Sequence, residues 1–126
     1  MAQPLELTAT LRVTIASEGM DVNRVEERMG AALGQAQQQL WQQLIAQVEA
    51  GWREREGAGY RVQDWQTRRL TTRWGEVRLR RRRFREAATG RTVMPFDRAV
   101  GLSAAVRRTA GAKELAVKRA TQESYA

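Results

Sequence analysis

The sequence predicts an α+β fold: an N-terminal strand, one long amphipathic helix, an antiparallel β-hairpin or meander, and a C-terminal helix. Three patterns predict it. Residues 5–15 alternate apolar and polar side chains, the period of a half-buried strand. Residues 21–56 carry apolar side chains at steps of three and four, the stripe of an amphipathic helix. Residues 68–91 alternate again around Gly75-Glu76, and Gly at the first central position suits a two-residue hairpin loop.

In the first strand, Leu5, Leu7, Ala9, Leu11, Val13 and Ile15 share one face, and Glu6, Thr8, Thr10, Arg12 and Thr14 the other. Ser17-Glu18-Gly19 ends it. Asp21 or Asn23 can cap the helix, and Asn23 with Glu26 has capping-box spacing. Its stripe runs through Val22, Val25, Met29, Leu33, Ala36, Leu40, Leu44, Val48 and Trp52. At ~1.5 Å per residue the helix is roughly 50 Å long, more than a small sheet covers. The surplus predicts self-association through Val25, Met29, Leu33, Leu40, Leu44 and Val48. Gln35, Gln37, Gln38, Gln39, Gln42 and Gln43 read as a solvated flank, as do Glu26, Glu27, Glu49, Glu54 and Glu56. Gly57-Ala58-Gly59 ends the helix.

Residues 60–73 run extended into the hairpin, with Trp65 read as core or sheet edge. A turn at Gly75-Glu76 pairs Trp74 with Val77, Thr72 with Leu79 and Leu70 with Arg81. Leu70, Thr72, Trp74, Val77 and Leu79 then form an apolar face. Arg69, Arg73, Arg78, Arg80 and Arg82 form the opposite one, with Arg73 facing Arg78 and Arg69 facing Arg82. Phe84 falls on the arginine face unless a bulge within residues 81–83 returns it. Thr89-Gly90 is a turn. Residues 92–96 are a short strand that Pro95 confines to an edge. Ser103 caps a terminal helix over residues 104–122, with Gly111 its weak point. By length the chain is one domain, divided as residues 1–102 and a C-terminal helix, residues 103–126, which the family resemblance given below implies is the truncated start of a following helical DNA-binding region.

Charge is the strongest functional signal. Residues 68–91 hold ten arginines and two acids, the whole formal net charge of +8. The isoelectric point is near 11.3. Like charges directly opposite on a sheet destabilise it, so an arginine face predicts a polyanion partner. The expected contacts are Arg69, Arg73, Arg78, Arg80 and Arg82, with Arg81, Arg83 and Arg85 beside them, acting on the phosphates of a nucleic acid, which the family resemblance given below implies is duplex DNA.

Other chemistries have little to work with. The chain has no cysteine and no histidine, which excludes thiolate nucleophiles, Ser-His triads and His- or Cys-ligated metals. Its three aspartates, Asp21, Asp64 and Asp97, are read at a helix start, in a strand lead-in and in a loop, with nothing converging them on a metal pair. No enzyme, cofactor, metal, small-molecule ligand or membrane partner is expected. The expected compartment is the cytoplasm.

The run Arg68-Arg69-Leu70-Thr71-Thr72-Arg73-Trp74-Gly75-Glu76-Val77-Arg78-Leu79-Arg80-Arg81, followed by Phe84-Arg85, Gly90 and Pro95-Phe96-Asp97-Arg98-Ala99-Val100-Gly101-Leu102, resembles the N-terminal region of ISLre/ISKra-type insertion-sequence transposases, which belong with the Mutator-like DDE enzymes. Ser124-Tyr125 matches the start of a Ser-Tyr/Phe-x-x-Ala element in that family. The resemblance covers residues 68–126. It implies a DNA-associated module that precedes helix-turn-helix-like segments and an RNase H-like catalytic domain, neither of which this sequence contains. The expectation is a non-catalytic DNA-binding and self-association module, or a truncated transposase remnant. Two other classes stay open: an RNA-binding or ribosome-associated basic protein, and a helix-mediated protein-interaction module.

Overall fold

The computed structural model describes residues 4–124; Tyr125 of the Ser-Tyr element lies outside them. The elements are α1 (Val22–Glu56), β1 (Tyr60–Thr72), β2 (Gly75–Glu86), β3 (Thr92–Val93), α2 (Pro95–Val100) and α3 (Ala110–Ser124). The strands form one antiparallel sheet in the order β1-β2-β3. This is an α+β architecture with the long helix laid along the hairpin.

Asp21 caps α1 by accepting the Asn23 N–H at 3.0 Å. Gly57 closes it and donates to the Arg53 carbonyl at 3.2 Å. A Cβ at Gly57 would lie 2.6 Å from that oxygen, so glycine is required there. The core gathers Ile45 from α1, Leu70, Val77 and Leu79 from the hairpin, Phe96 from α2, and Leu102. Trp41, Leu44, Val48 and Val106 pack against it. Each fully buried side chain of that core contributes about 1.5–3 kcal/mol. No helix among the described residues is long and apolar enough to cross a membrane.

Four local expectations are corrected. Residues 5–15 pair with no strand among the described residues; they run along α1 instead, held at Thr8 by Gln43 and at Glu6 by Gln47. Of the alternating apolar face, Leu7, Ala9 and Ile15 are half-buried and Leu5, Leu11 and Val13 exposed. The hairpin turns at Arg73-Trp74, and Thr72 pairs with Gly75, Leu70 with Val77 and Arg69 with Arg78. Gly75 takes φ +113° just after the turn, where a glycine relieves a short hairpin loop. The Thr72 hydroxyl fixes that turn, donating to the Gly75 carbonyl at 2.8 Å and accepting the Trp74 N–H at 3.1 Å. Trp74 therefore leaves the apolar face and stands 75% exposed at the tip.

The strand expected at 92–96 stops at Val93, because Pro95 opens α2, a position its fixed φ suits. The terminal helix starts at Ala110, not at residue 104. Thr109 caps it, its hydroxyl accepting the Ala112 N–H at 3.1 Å. Ser103 instead closes a turn through its carbonyl to the Val106 N–H at 3.1 Å. Residues 107–109 then run beside β1, joined to Thr71 by two main-chain bonds of 2.9 Å. Gly111 sits in the first turn of α3 and does not break it.

Candidate nucleic-acid interface

Most of the arginines in the basic hairpin are held by carboxylates. Arg81, nearly buried, makes a two-pronged pair with Asp97 at 2.8 and 3.0 Å and also donates to the Gln66 carbonyl at 3.0 Å. Arg82 pairs with Glu49 at 2.8 Å, and its own N–H donates to the other Glu49 oxygen at 2.7 Å. Arg83 forks onto Asp64. Arg68 approaches Asp97 at 3.9 Å and donates to the carbonyls of Ser103 and Val106. Two looser pairs lie at the surface: Arg69 with Glu76 at 3.6 Å and Arg73 with Glu114 at 3.4 Å.

This corrects the five-arginine face. Arg82 is a structural residue, and Arg73 sits in the turn. Glu49 is 1% exposed, not solvated. Asp97 lies in the first turn of α2, not in a loop. The signal for Glu49 was in the sequence: it follows Ile45 by four and precedes Trp52 by three, and both are buried.

Three arginines of the expected site keep free guanidinium groups. Arg78, Arg80 and Arg85 are exposed and have no carboxylate partner among the described residues. Arg78 and Arg80 lie on one face of β2, since alternate residues share a face. Their neighbours across the hairpin are Arg69 and Thr67. Trp65, opposite Arg82, belongs to the same face and is 47% exposed. It is not core: it stands on β1, an edge strand of the sheet. The Arg80 guanidinium stacks 4.5 Å from its ring and that of Arg82 5.3 Å away, within cation–π range. Phe84 lies on this face too, as unbroken alternation requires. It is buried there against Trp52 at 4.9 Å; the register irregularity falls in β1, between Val62 and Asp64.

The glutamines hold this strand in place. Gln38 donates to the Arg78 carbonyl at 2.6 Å and accepts the Arg78 N–H at 2.8 Å. Gln42 does the same at Arg80, at 2.7 and 3.4 Å. Glu49 takes the next rung at Arg82. Four helical residues rise about 6 Å and two strand residues about 6.7 Å, so Gln38 and Gln42, one turn apart, meet alternate strand residues; Glu49 reaches Arg82 from two turns beyond Gln42. The glutamine amide, with one donor arm and one acceptor arm, stands in for a neighbouring strand. A solvated flank is thus the wrong description of Gln37, Gln38, Gln42 and Gln43.

Of the expected self-association residues, Leu44 and Val48 pack on this chain's own core. Val25 and Leu40 are half-buried, and Met29 and Leu33 are exposed. Leu33, Leu40 and Leu44 line an apolar groove of about 800 Å³ with Leu7, Leu11 and Trp74.

A family model described as an uncharacterised protein family, UPF0236, matches residues 15–126. The chain belongs to that family. The UPF0236 match takes in α1, the whole sheet and the arginine face, and leaves out residues 1–14. Comparisons with curated proteins and with solved structures returned no match. Among the described residues of this UPF0236 chain, no three acids come together as a metal site would need.

Proposed function

We propose that this chain is a non-catalytic DNA-binding and self-association module, akin to the N-terminal region of an insertion-sequence transposase. The observation that carries the reading is the surviving cationic face: Arg78 and Arg80, free of carboxylates, beside Arg69 and Trp65 on the solvent side of a two-stranded ribbon. Its guanidinium groups suit phosphate oxygens, and a ribbon of two strands fits a major groove. The motif resemblance over residues 68–126 supports DNA as the polyanion. Self-association draws on the exposed part of the α1 stripe and its groove.

One feature favours a second reading. A half-exposed tryptophan flanked by arginines is also a stacking platform for unpaired bases, which favours single-stranded nucleic acid or RNA loops. Fluorescence anisotropy with a labelled duplex over a salt series, competed by structured RNA and by single strands at matched salt, decides between them. Duplex DNA is expected to compete best, with affinity falling steeply in salt. Preferential competition by RNA or single strands moves the assignment to the second reading. Binding to none of them removes both.

A further inference from the structure

The segment before α1 is a near-palindrome in side-chain character. Outward from Ala9 stand Thr8 and Thr10, Leu7 and Leu11, Glu6 and Arg12, Leu5 and Val13. It is also stretched. Glu6 is bonded by Gln47, and Ile15 lines a small pocket with Val25 and Arg28. Nine residues therefore follow about twenty of helix, roughly 30 Å, which needs ~3.3 Å per residue, the rise of a strand.

An extended main chain presents its polar groups alternately to two sides. Glu6 and Thr8 turn theirs to Gln47 and Gln43. Leu7, Ala9 and Leu11 turn theirs away, and these have no hydrogen-bond partner among the described residues. Such an open edge takes an added strand. Leu5, Leu11, Val13 and Leu33 are exposed beside it.

We propose that a second copy of this chain docks there, its residues 5–13 antiparallel to this chain's about a two-fold axis through Ala9. The inference rests on the self-association reading and assigns its seam to a strand pair. In that register Glu6 faces Arg12 of the other copy twice over, Thr8 faces Thr10, Leu7 faces Leu11 and Leu5 faces Val13. A two-fold pairing is isologous, so one charge match is made at both ends. Parity agrees as well. A two-fold centred on a residue pairs odd positions with odd ones, and by alternation the odd positions carry the main-chain groups on the side away from Gln43 and Gln47, giving roughly ten inter-chain hydrogen bonds; Thr10 and Arg12, also without partners among the described residues, lie on the other side. A slip by two residues loses both charge pairs, and a parallel arrangement sets Glu6 against Glu6; like charges directly opposite are unfavourable. The paired Leu7 and Leu11 of the second copy share the apolar face of this chain's own and extend the roof over the groove.

Charge exchange tests it. Glu6 and Arg12 make no ion pair among the described residues, so Glu6→Arg and Arg12→Glu leave the fold alone. Each single variant is expected to weaken the dimer about ten- to a hundredfold in sedimentation velocity. An equimolar mixture of the two is expected to restore a heterodimer, and the double variant a homodimer. Singles that dimerise like the parent, while Leu33→Glu is monomeric, overturn the strand pairing and leave self-association through α1 standing. A parent chain that stays monomeric across micromolar concentrations overturns both.

Discussion

Glu49 holds Arg82 twice, one carboxylate oxygen on the guanidinium at 2.8 Å and the other on the main-chain N–H at 2.7 Å. The carboxylate comes from the C-terminal part of α1 and the arginine from the second half of β2, so one acid fixes both the charge and the main chain of the basic strand. Breaking such a buried pair from one side costs about 3–5 kcal/mol. Glu49→Ala should therefore lower the melting temperature sharply. Glu49→Gln, which keeps an acceptor for the N–H, should cost less. Thermal melts of the two variants beside the parent check this, and a Glu49→Ala melt equal to that of the parent would show that the carboxylate is not what holds the strand.

Removing the free arginines should act on binding and not on stability. Arg78→Ala with Arg80→Ala is expected to flatten the log–log salt dependence of duplex binding by about 2, at about 0.9 per phosphate contact. The melt should stay within about 0.5 kcal/mol of the parent. Arg82→Ala should do the reverse, costing stability while the slope of the folded fraction holds. Anisotropy titrations over a salt series, with a melt of each variant, separate the two outcomes.

The glutamine rungs should be visible in amide exchange. Gln38→Leu with Gln42→Leu removes the main-chain partners of Arg78 and Arg80, each bond contributing about 0.5–1.5 kcal/mol. Faster hydrogen exchange is expected at those two amides, with the Leu79 and Val77 core retained. Exchange unchanged at Arg78 and Arg80 would mean that the rungs are not formed in solution.

Leu79 is fully buried on the opposite face of the same strand. Leu79→Ala should cost about 2–5 kcal/mol and leave the salt slope of folded protein where it was. A flattened slope in this variant would tie the core and the arginine face together more closely than the fold suggests.

Periodicity made the long helix, the hairpin and the faces of β2 legible in the sequence. Leu70, Thr72, Val77 and Leu79 are buried as alternation requires. The hairpin register was not legible, because a glycine serves equally well inside a turn or just after it, and residue types alone do not say that the Thr72 hydroxyl will bond Trp74 and Gly75, two and three residues on. The pairing of the arginines was hidden for a related reason. Glu49, Asp64 and Asp97 lie 33, 19 and 16 residues from their partners, and local sequence carries no sign of such distances. Residues 5–15 misled because their alternation is real but they run beside a helix, with only Leu7, Ala9 and Ile15 half-buried.

The rungs from α1 to β2 have a further bearing on how this surface can change. Gln38 and Gln42 grip main-chain atoms and ignore the side chains at 78 and 80. Any residue except proline, which lacks the N–H, can occupy those positions and still be held. The support of the strand and the chemistry it displays are thus inherited separately. Substitutions there can change the charge and shape the strand displays without a matching change anywhere in the helix.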